Sequence, residues 1–447
     1  MSRASTSLEL FFDLCFVVAV AQASSGLHHD LSEGHITDGV SGYLFIFFAV
    51  WWAWMNFTWF ASAYDTDDVA YRLTTLVQMA GALVFAAGVP RAFVGGDFVV
   101  ITLGYVIMRR AMVTQWLRAA RADPTPRRGC VRVAFGVTLV QIGWVVRLAL
   151  PQPWDMVAFG VLVVAELAVP IWAEQGARTT WHPEHIAERY GLFTLIVLGE
   201  SVLAATVAIQ SELDTKVAVA DLASTAVGGM LTVFSMWWLY FTKDAARFLT
   251  SLKIGFIWGY GHYLIFGSAA AVGAGLGVNV DHAMGRAHLG STAAAASFTV
   301  PAAVFVTAVW VLHWLPQHIL GWHNALAPMF AAAILLSTFT AQAVLVTGLL
   351  MAALVFAGIL AVREPGPTAR PRRSARQVAQ WRGPCTTRRR TGCGQWIYAS
   401  GEGPLPTTHD FRERGPGVAL LRLRAMQVRV QIGAACRSGA GLPSGVS

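Results

Sequence analysis

The sequence predicts an all-α protein: a polytopic transmembrane helical bundle of about twelve spans, followed by a disordered, arginine-rich tail. Three observations carry this. Hydrophobic residues make up 55% of the chain and charged residues only 13%, where a soluble protein carries roughly 25% charged. Mean hydropathy is +0.53. Apolar windows long enough to cross a bilayer, which takes about 20 residues, recur from one end of the chain to residue 362 and then stop.

The expected spans are Leu8–Leu27, Val40–Ala63, Leu73–Pro90, Phe98–Leu117, Val131–Leu150, Trp154–Ala173, His185–Ile209, Leu222–Thr242, Ile254–Val278, Ser291–Trp314, Ala325–Thr338 and Ala341–Val362. The last two can also be read as one long tilted helix, which gives eleven. Arg3 followed by an apolar run ending at Ala21-Gln22-Ala23 imitates a cleavable signal peptide. Glu9 and Asp13 interrupt that run, and the apolar core of a signal peptide tolerates no such charges, so the first span is expected to stay. Orientation follows from loop charge. Arg118, Arg121, Arg127, Arg128 and Arg132 surround the loop after span 4, and Lys243, Arg247 and Lys253 lie after span 8. Basic loops remain inside, which predicts a plasma-membrane protein with both termini cytoplasmic. The net charge of +8 is accounted for by these loops and the tail, so no nucleic-acid partner is expected.

A weak repeat divides the membrane part. Glu9-Leu10-Phe11-Phe12-Asp13 opens span 1 and Glu188-Arg189-Tyr190-Gly191-Leu192-Phe193 opens span 7. Trp51-Trp52 and Phe57-Thr58 in span 2 correspond to Trp237-Trp238 and Phe241-Thr242 in span 8. Six spans separate the copies, which predicts a parallel 6+6 arrangement of residues 1–174 and 175–362, a plan used by transporters. From Arg363 to residue 447 there are fifteen arginines and no lysine, with frequent Gly, Pro and Ser. Such a composition cannot bury enough surface to offset ordering entropy. A displaced reading frame in a GC-rich gene would produce the same composition, so both readings stay open.

Ionisable residues inside the spans are the chemical signal, because a charge at mid-bilayer costs about 2.5–3.5 kcal/mol on insertion scales. Glu200 sits in the middle of span 7, and Glu166 lies in span 6. Glu9 and Asp13 are four apart and share one helix face. Glu188 and Arg189 open span 7, and His262 lies inside span 9, where an imidazole would suit a proton relay. These residues are expected to line an ion pathway or to pair and hold helices together. Asp65, Asp67, Asp68 and Arg72 form an acidic loop that either caps the next helix or offers oxygen ligands to a divalent ion. His182, His185 and Glu188 have no HExxH and no second cluster, and the five cysteines show no CxxC, so no metal or other cofactor is expected. Gly273, Gly275 and Gly277 suit close helix packing. The chain has no phosphate-binding loop, no Gly-x-Ser-x-Gly elbow and no nucleophile–base pair, so an enzyme is not expected.

Leu8-Glu9-Leu10-Phe11-Phe12-Asp13-Leu14, Tyr64-Asp65-Thr66-Asp67-Asp68 with Arg72, and Glu188-Arg189-Tyr190-Gly191-Leu192-Phe193 through Leu198-Gly199-Glu200-Ser201 occur in that order, with Gly261-His262-Tyr263 further on. Over residues 8–362 the chain resembles the bacterial low temperature requirement protein A family. The resemblance implies a multi-pass membrane protein needed at low growth temperature and implies no particular chemistry. Phe11-Phe12-Asp13 is also similar to the Phe-Ser-Asp signature of a lysosomal and bacterial potassium-channel family, with Phe12 in place of Ser. The expected function is a secondary transporter or ion-coupled permease acting on a small ion or solute. A passive ion channel and a non-transporting membrane scaffold or sensor are the alternatives.

Overall fold

The structure is a computed structural model that describes residues 4–175, 180–214, 219–243, 245–315 and 323–363. These lie in one compact unit, Met1–Thr368. The arginine-rich tail, whose order and reading frame are at issue above, lies outside the described residues. Twelve α-helices and no strand occur among the described residues: α1 Ser7–Ser32, α2 Ile36–Tyr64, α3 Val69–Gly95, α4 Val99–Ala122, α5 Arg127–Arg147, α6 Trp154–Glu174, α7 Pro183–Asp214, α8 Val219–Phe241, α9 Leu252–Ala283, α10 Ser291–Val309, α11 His323–Ser337 and α12 Ala343–Arg363. A 3-10 turn, Ala245–Phe248, follows α8, and a π-helical turn, Trp310–Trp314, follows α10.

Local chemistry explains where the helices start. Thr6 caps α1: its hydroxyl accepts the Glu9 N–H at 3.3 Å, while the Glu9 carboxylate accepts the Thr6 N–H at 2.8 Å. This reciprocal box satisfies two of the donors that every helix start leaves open. Asp68 caps α3 through the Tyr71 N–H at 2.7 Å. Gly96, with φ of 62°, ends α3 in the left-handed conformation that favours glycine. Pro183 sits in the first turn of α7, where its missing N–H costs nothing.

Among the described residues, ten helices are long and apolar enough to cross a membrane. The two expected spans outside that set are informative. α11 is short, and its apolar part covers only Ala325–Ser337. The turn at residues 338–342 separates it from α12, so the last stretch is two helices rather than one. α4 carries Arg109, Arg110, Arg118 and Arg121 and is therefore less apolar. It nevertheless runs antiparallel along the whole of α3. A methyl on Gly88 would collide with the backbone of Ile101, and one on Gly104 with the backbone of Phe85. Further along, the Gln115 side-chain amide donates to the Tyr71 carbonyl at 3.2 Å, and Arg118 meets Asp68 at 2.6 Å. Two helices in such contact at four levels traverse the same depth.

α1 and α9 sit at the centre of the bundle, α1 packing on α2, α3, α7 and α9. A continuous core runs through Phe12, Phe16, Phe47, Trp54, Phe57, Phe193 and Phe266, all buried. The three glycines of α9 do what close packing requires: a Cβ on Gly273 would lie 3.1 Å from the Ser201 backbone and one on Gly277 3.0 Å from the His28 ring, and one on Gly275 would overlap the Ser297 carbonyl.

Candidate functional site

The first turns of α1 and α7 meet at one end of the bundle, and their charged residues face each other. Glu9 and Asp13 come from α1; His185 and Arg189, also four apart, come from α7. All four side chains are 0–1% exposed. Arg189 Nη2 donates to Asp13 Oδ1 at 2.6 Å, and Arg189 Nη1 lies 3.3 Å from Glu9 Oε1. His185 Nε2 lies 3.1 Å from the same Glu9 oxygen. From α2, the Trp54 indole N–H donates to Asp13 Oδ1 at 2.7 Å. The outer Glu9 oxygen is held by the Thr6 cap, so the device that starts α1 also fixes the carboxylate. Asp13 Oδ2 and Arg189 Nε, both buried, have no hydrogen-bond partner among the described residues.

Charge counting defines what this centre can do. Two carboxylates face one guanidinium and one imidazole. With a neutral imidazole the group carries one net negative charge, and one proton on His185 or one bound monovalent cation would balance it.

A second buried centre is built differently. Glu166 of α6 accepts from Arg109 Nη2 at 2.5 Å, from the Trp52 indole at 2.8 Å, from the Tyr105 hydroxyl at 3.0 Å and from the Trp144 indole at 3.2 Å. Both carboxylate oxygens are used, by donors from α2, α4 and α5. This is the arrangement of a buried ion pair that joins four helices.

A third polar group lies between α8 and α9. His262 Nδ1–H donates to the Trp258 carbonyl at 2.7 Å, so the Nε2 of the neutral ring accepts from the Tyr240 hydroxyl at 3.1 Å. The His313 ring lies 5.4 Å from His262, centre to centre, and 4.8 Å from Tyr240. Tyr190, Phe193 and Phe266 separate this group from the Asp13 centre. Tyr190 packs edge-on to both Trp54 and His262.

With this geometry in place, comparison with known proteins is decisive for the family. The profile of the bacterial low temperature requirement A protein family matches residues 4–362. The chain belongs to this family. An uncharacterised protein of Rhizobium meliloti (strain 1021) is 29% identical over 293 residues, covering 61% of this chain and 69% of the relative. The low temperature requirement A match ends where the arginine-rich tail begins, and it contains all three polar groups.

The residues expected from the sequence divide as follows. Glu9, Asp13 and Arg189 of this low temperature requirement A protein form the first centre, Glu166 the second and His262 the third. Glu200 joins none of them. It is half-buried on α7, next to the exposed Gly199, Val202 and Leu203, and makes no hydrogen bond or ion pair among the described residues. Glu188 is exposed and receives the Ser5 N–H at 3.4 Å, whereas His185, three residues earlier, is buried against Glu9. The acidic loop is a helix start tied down by arginines: Asp67 pairs with Arg72 at 2.7 Å and Asp68 with Arg118 at 2.6 Å. Hydrogen bonds lower both carboxyls below the ordinary aspartate range, from the Arg72 side chain in Asp67 and from the Tyr71 backbone N–H in Asp68.

Sequence reasoning missed the neutral donors. Trp52, Trp54, Tyr105, Trp144 and Tyr240 read as aromatic bulk, yet each offers its N–H or O–H to a buried acceptor. A cleft also escaped it. About 990 Å³ in volume, the cleft lies between the start of α7 and the end of α8, and Glu184, Glu188, Leu195, Tyr240, Lys243, Arg247 and His313 are among its lining residues.

Proposed function

We propose that this membrane protein is a secondary transporter or ion-coupled permease whose coupling site is the Glu9–Asp13–His185–Arg189 centre. The observation that carries the reading is the Asp13 carboxylate: 1% exposed, with one oxygen shared by Arg189 and Trp54 and the other without a partner among the described residues. A buried acceptor left unmatched costs about 1–3 kcal/mol. A proton or a small cation at that oxygen recovers the cost and cancels the excess negative charge. Glu166, whose oxygens are all engaged, has a bracing role instead. Basic residues at the start of α5 and the end of α8 support a plasma-membrane orientation with both termini in the cytoplasm. The starts of α1 and α7, where the two halves of the weak repeat meet, then form the inner mouth of the pathway.

The test uses the full chain in proteoliposomes on a solid-supported membrane, with rapid pH or Na⁺ jumps. A coupled carrier gives transient charge displacement that disappears in Asp13→Asn and persists in Trp237→Phe, a change in exposed aromatic surface outside the four-residue centre. Steady current that needs no gradient coupling would make the protein a channel. Silence to both ions would leave a scaffold.

A further inference from the structure

The cleft between α7 and α8 has a chemistry of its own, and the transport reading does not use it. One wall, from the first two turns of α7, carries Glu184 and Glu188. The opposite wall, from the end of α8 and the turn after it, carries Lys243 and Arg247. Glu184 and Lys243 form no ion pair with each other or with any other described residue, so these two opposite charges face one cleft without closing it. Deeper, the lining turns apolar through Leu195 and Phe241, which are 45% and 38% exposed. Trp237 and Trp238, nearly half exposed on the same end of α8, are the residue type that settles at the headgroup level of a bilayer. They place this end of α8, and with it the cleft, at the depth of lipid headgroups. Its volume of about 990 Å³ matches the upper end of small-molecule sites, about 300–1,000 Å³.

An occupant must carry a negative and a positive group a short distance apart and an apolar tail beneath them. A free anion would meet the two glutamates, and a free cation the lysine and arginine. We propose that the cleft binds the headgroup of an aminophospholipid from the surrounding leaflet, its phosphate against Lys243 and Arg247 and its ammonium against Glu184 and Glu188. Its acyl chains then run along Leu195 and Phe241. A primary ammonium donates hydrogen bonds to carboxylates, which a choline headgroup cannot do, and a glycerol headgroup offers no positive charge at all.

The experiment is calorimetric titration of the full-length, delipidated protein in detergent. The ligands are short-chain phosphatidylethanolamine, phosphatidylglycerol and phosphatidylcholine, with soluble phosphoethanolamine as the tail-free control. Phosphatidylethanolamine is expected to bind about tenfold tighter than the other two lipids and phosphoethanolamine at least as much more weakly. Lys243→Gln should weaken phosphatidylethanolamine binding, and Glu184→Gln with Glu188→Gln should erase the preference for it. Equal binding of the three lipids overturns the proposal, as does a preference that survives these substitutions. Tail-free phosphoethanolamine binding as tightly as the lipid would make the site one for a soluble zwitterion and overturns the lipid assignment. Glu184 is exposed and partnerless among the described residues, so its loss leaves folding intact, and the wild-type selectivity decides the matter alone. None of these results depends on whether Asp13 couples transport.

Discussion

At the scale of single residues, two buried carboxylates in one bundle are satisfied differently: both oxygens of Glu166 accept hydrogen bonds, whereas Asp13 Oδ2 has no partner among the described residues. Glu166 receives four donors, and Arg109 packs over the Tyr105 ring, 4.9 Å from its centre. Truncating one member of a buried ion pair strands the other charge in an apolar interior. Glu166→Ala should therefore lower stability by about 3–5 kcal/mol, read as a fall in the unfolding temperature of the detergent-solubilised protein. The double variant Glu166→Leu with Arg109→Met removes both charges and should recover most of that loss. A double variant as unstable as the single one would mean that Glu166 is more than a brace. The pairing itself was not legible in the sequence, where Glu166 and Arg109 are two of several intramembrane charges. Partner choice is a property of helix packing between residues 57 positions apart. Glu200 illustrates the converse. Its place in an apolar run announces a desolvation cost, but only the packing at each level of α7 decides which neighbours share it. Glu200 lies about three turns after Arg189 on nearly the same face of the helix, yet that face is buried at Arg189 and only half-buried at Glu200.

At the scale of elements, helix starts and close contacts are where the sequence speaks most directly. The Thr6–Glu9 box and the Asp68 cap use residue types and spacings that can be recognised without coordinates, and the glycines of α9 packed as their spacing suggested. The span in α4 was legible from its length alone, although its arginines lowered its hydropathy, because those arginines have partners that hydropathy cannot count. Asp68 gives a prediction with a definite sign. Its carboxyl is held below the ordinary range by the Tyr71 N–H and then by Thr66 and Arg118. A group whose pKa falls on folding stabilises the folded state above its unfolded pKa, about 3.9 for aspartate, and loses that contribution as pH falls through the folded value. Asp68→Asn keeps the cap acceptor and removes the charge. The unfolding temperature of wild type should exceed that of Asp68→Asn at pH 7, and the gap should close as the solution is acidified below pH 4. A gap that stays constant to low pH would show that the ionised carboxyl contributes nothing.

At the scale of the whole molecule, the relative directions of α1, α3, α4, α7 and α9 follow from which ends touch. Glu188 receives the Ser5 N–H, and Arg118 meets Asp68, so the starts of α1 and α7 lie together, as do the start of α3 and the end of α4. On the opposite end, His28 of α1 meets Asp281 of α9 at 2.8 Å, and the His288 N–H donates to the Ser32 carbonyl at 2.6 Å. These contacts agree with twelve helices alternating in direction and with no helix turning back. The two ends differ in charge. Arg121, Arg127, Arg128, Lys243 and Lys253 gather where α1 begins. Asp30, Glu33, Asp38 and Asp281 gather where it ends, together with His28, His29, His35 and His288. A basic excess within reach of the membrane keeps a short loop in the cytoplasm, which predicts that the end bearing the Asp13 centre and the α7–α8 cleft faces inward. The measurement is labelling of single cysteines, placed in a background lacking the natural ones, with a membrane-impermeant maleimide on intact cells. Glu33→Cys in the turn after α1 should label at once. Asp123→Cys in the turn after α4 should label only after the membrane is opened. The reverse pattern would invert the protein and turn both sites outward. Labelling of both positions on intact cells would mean that the helices between them do not alternate as their contacts require.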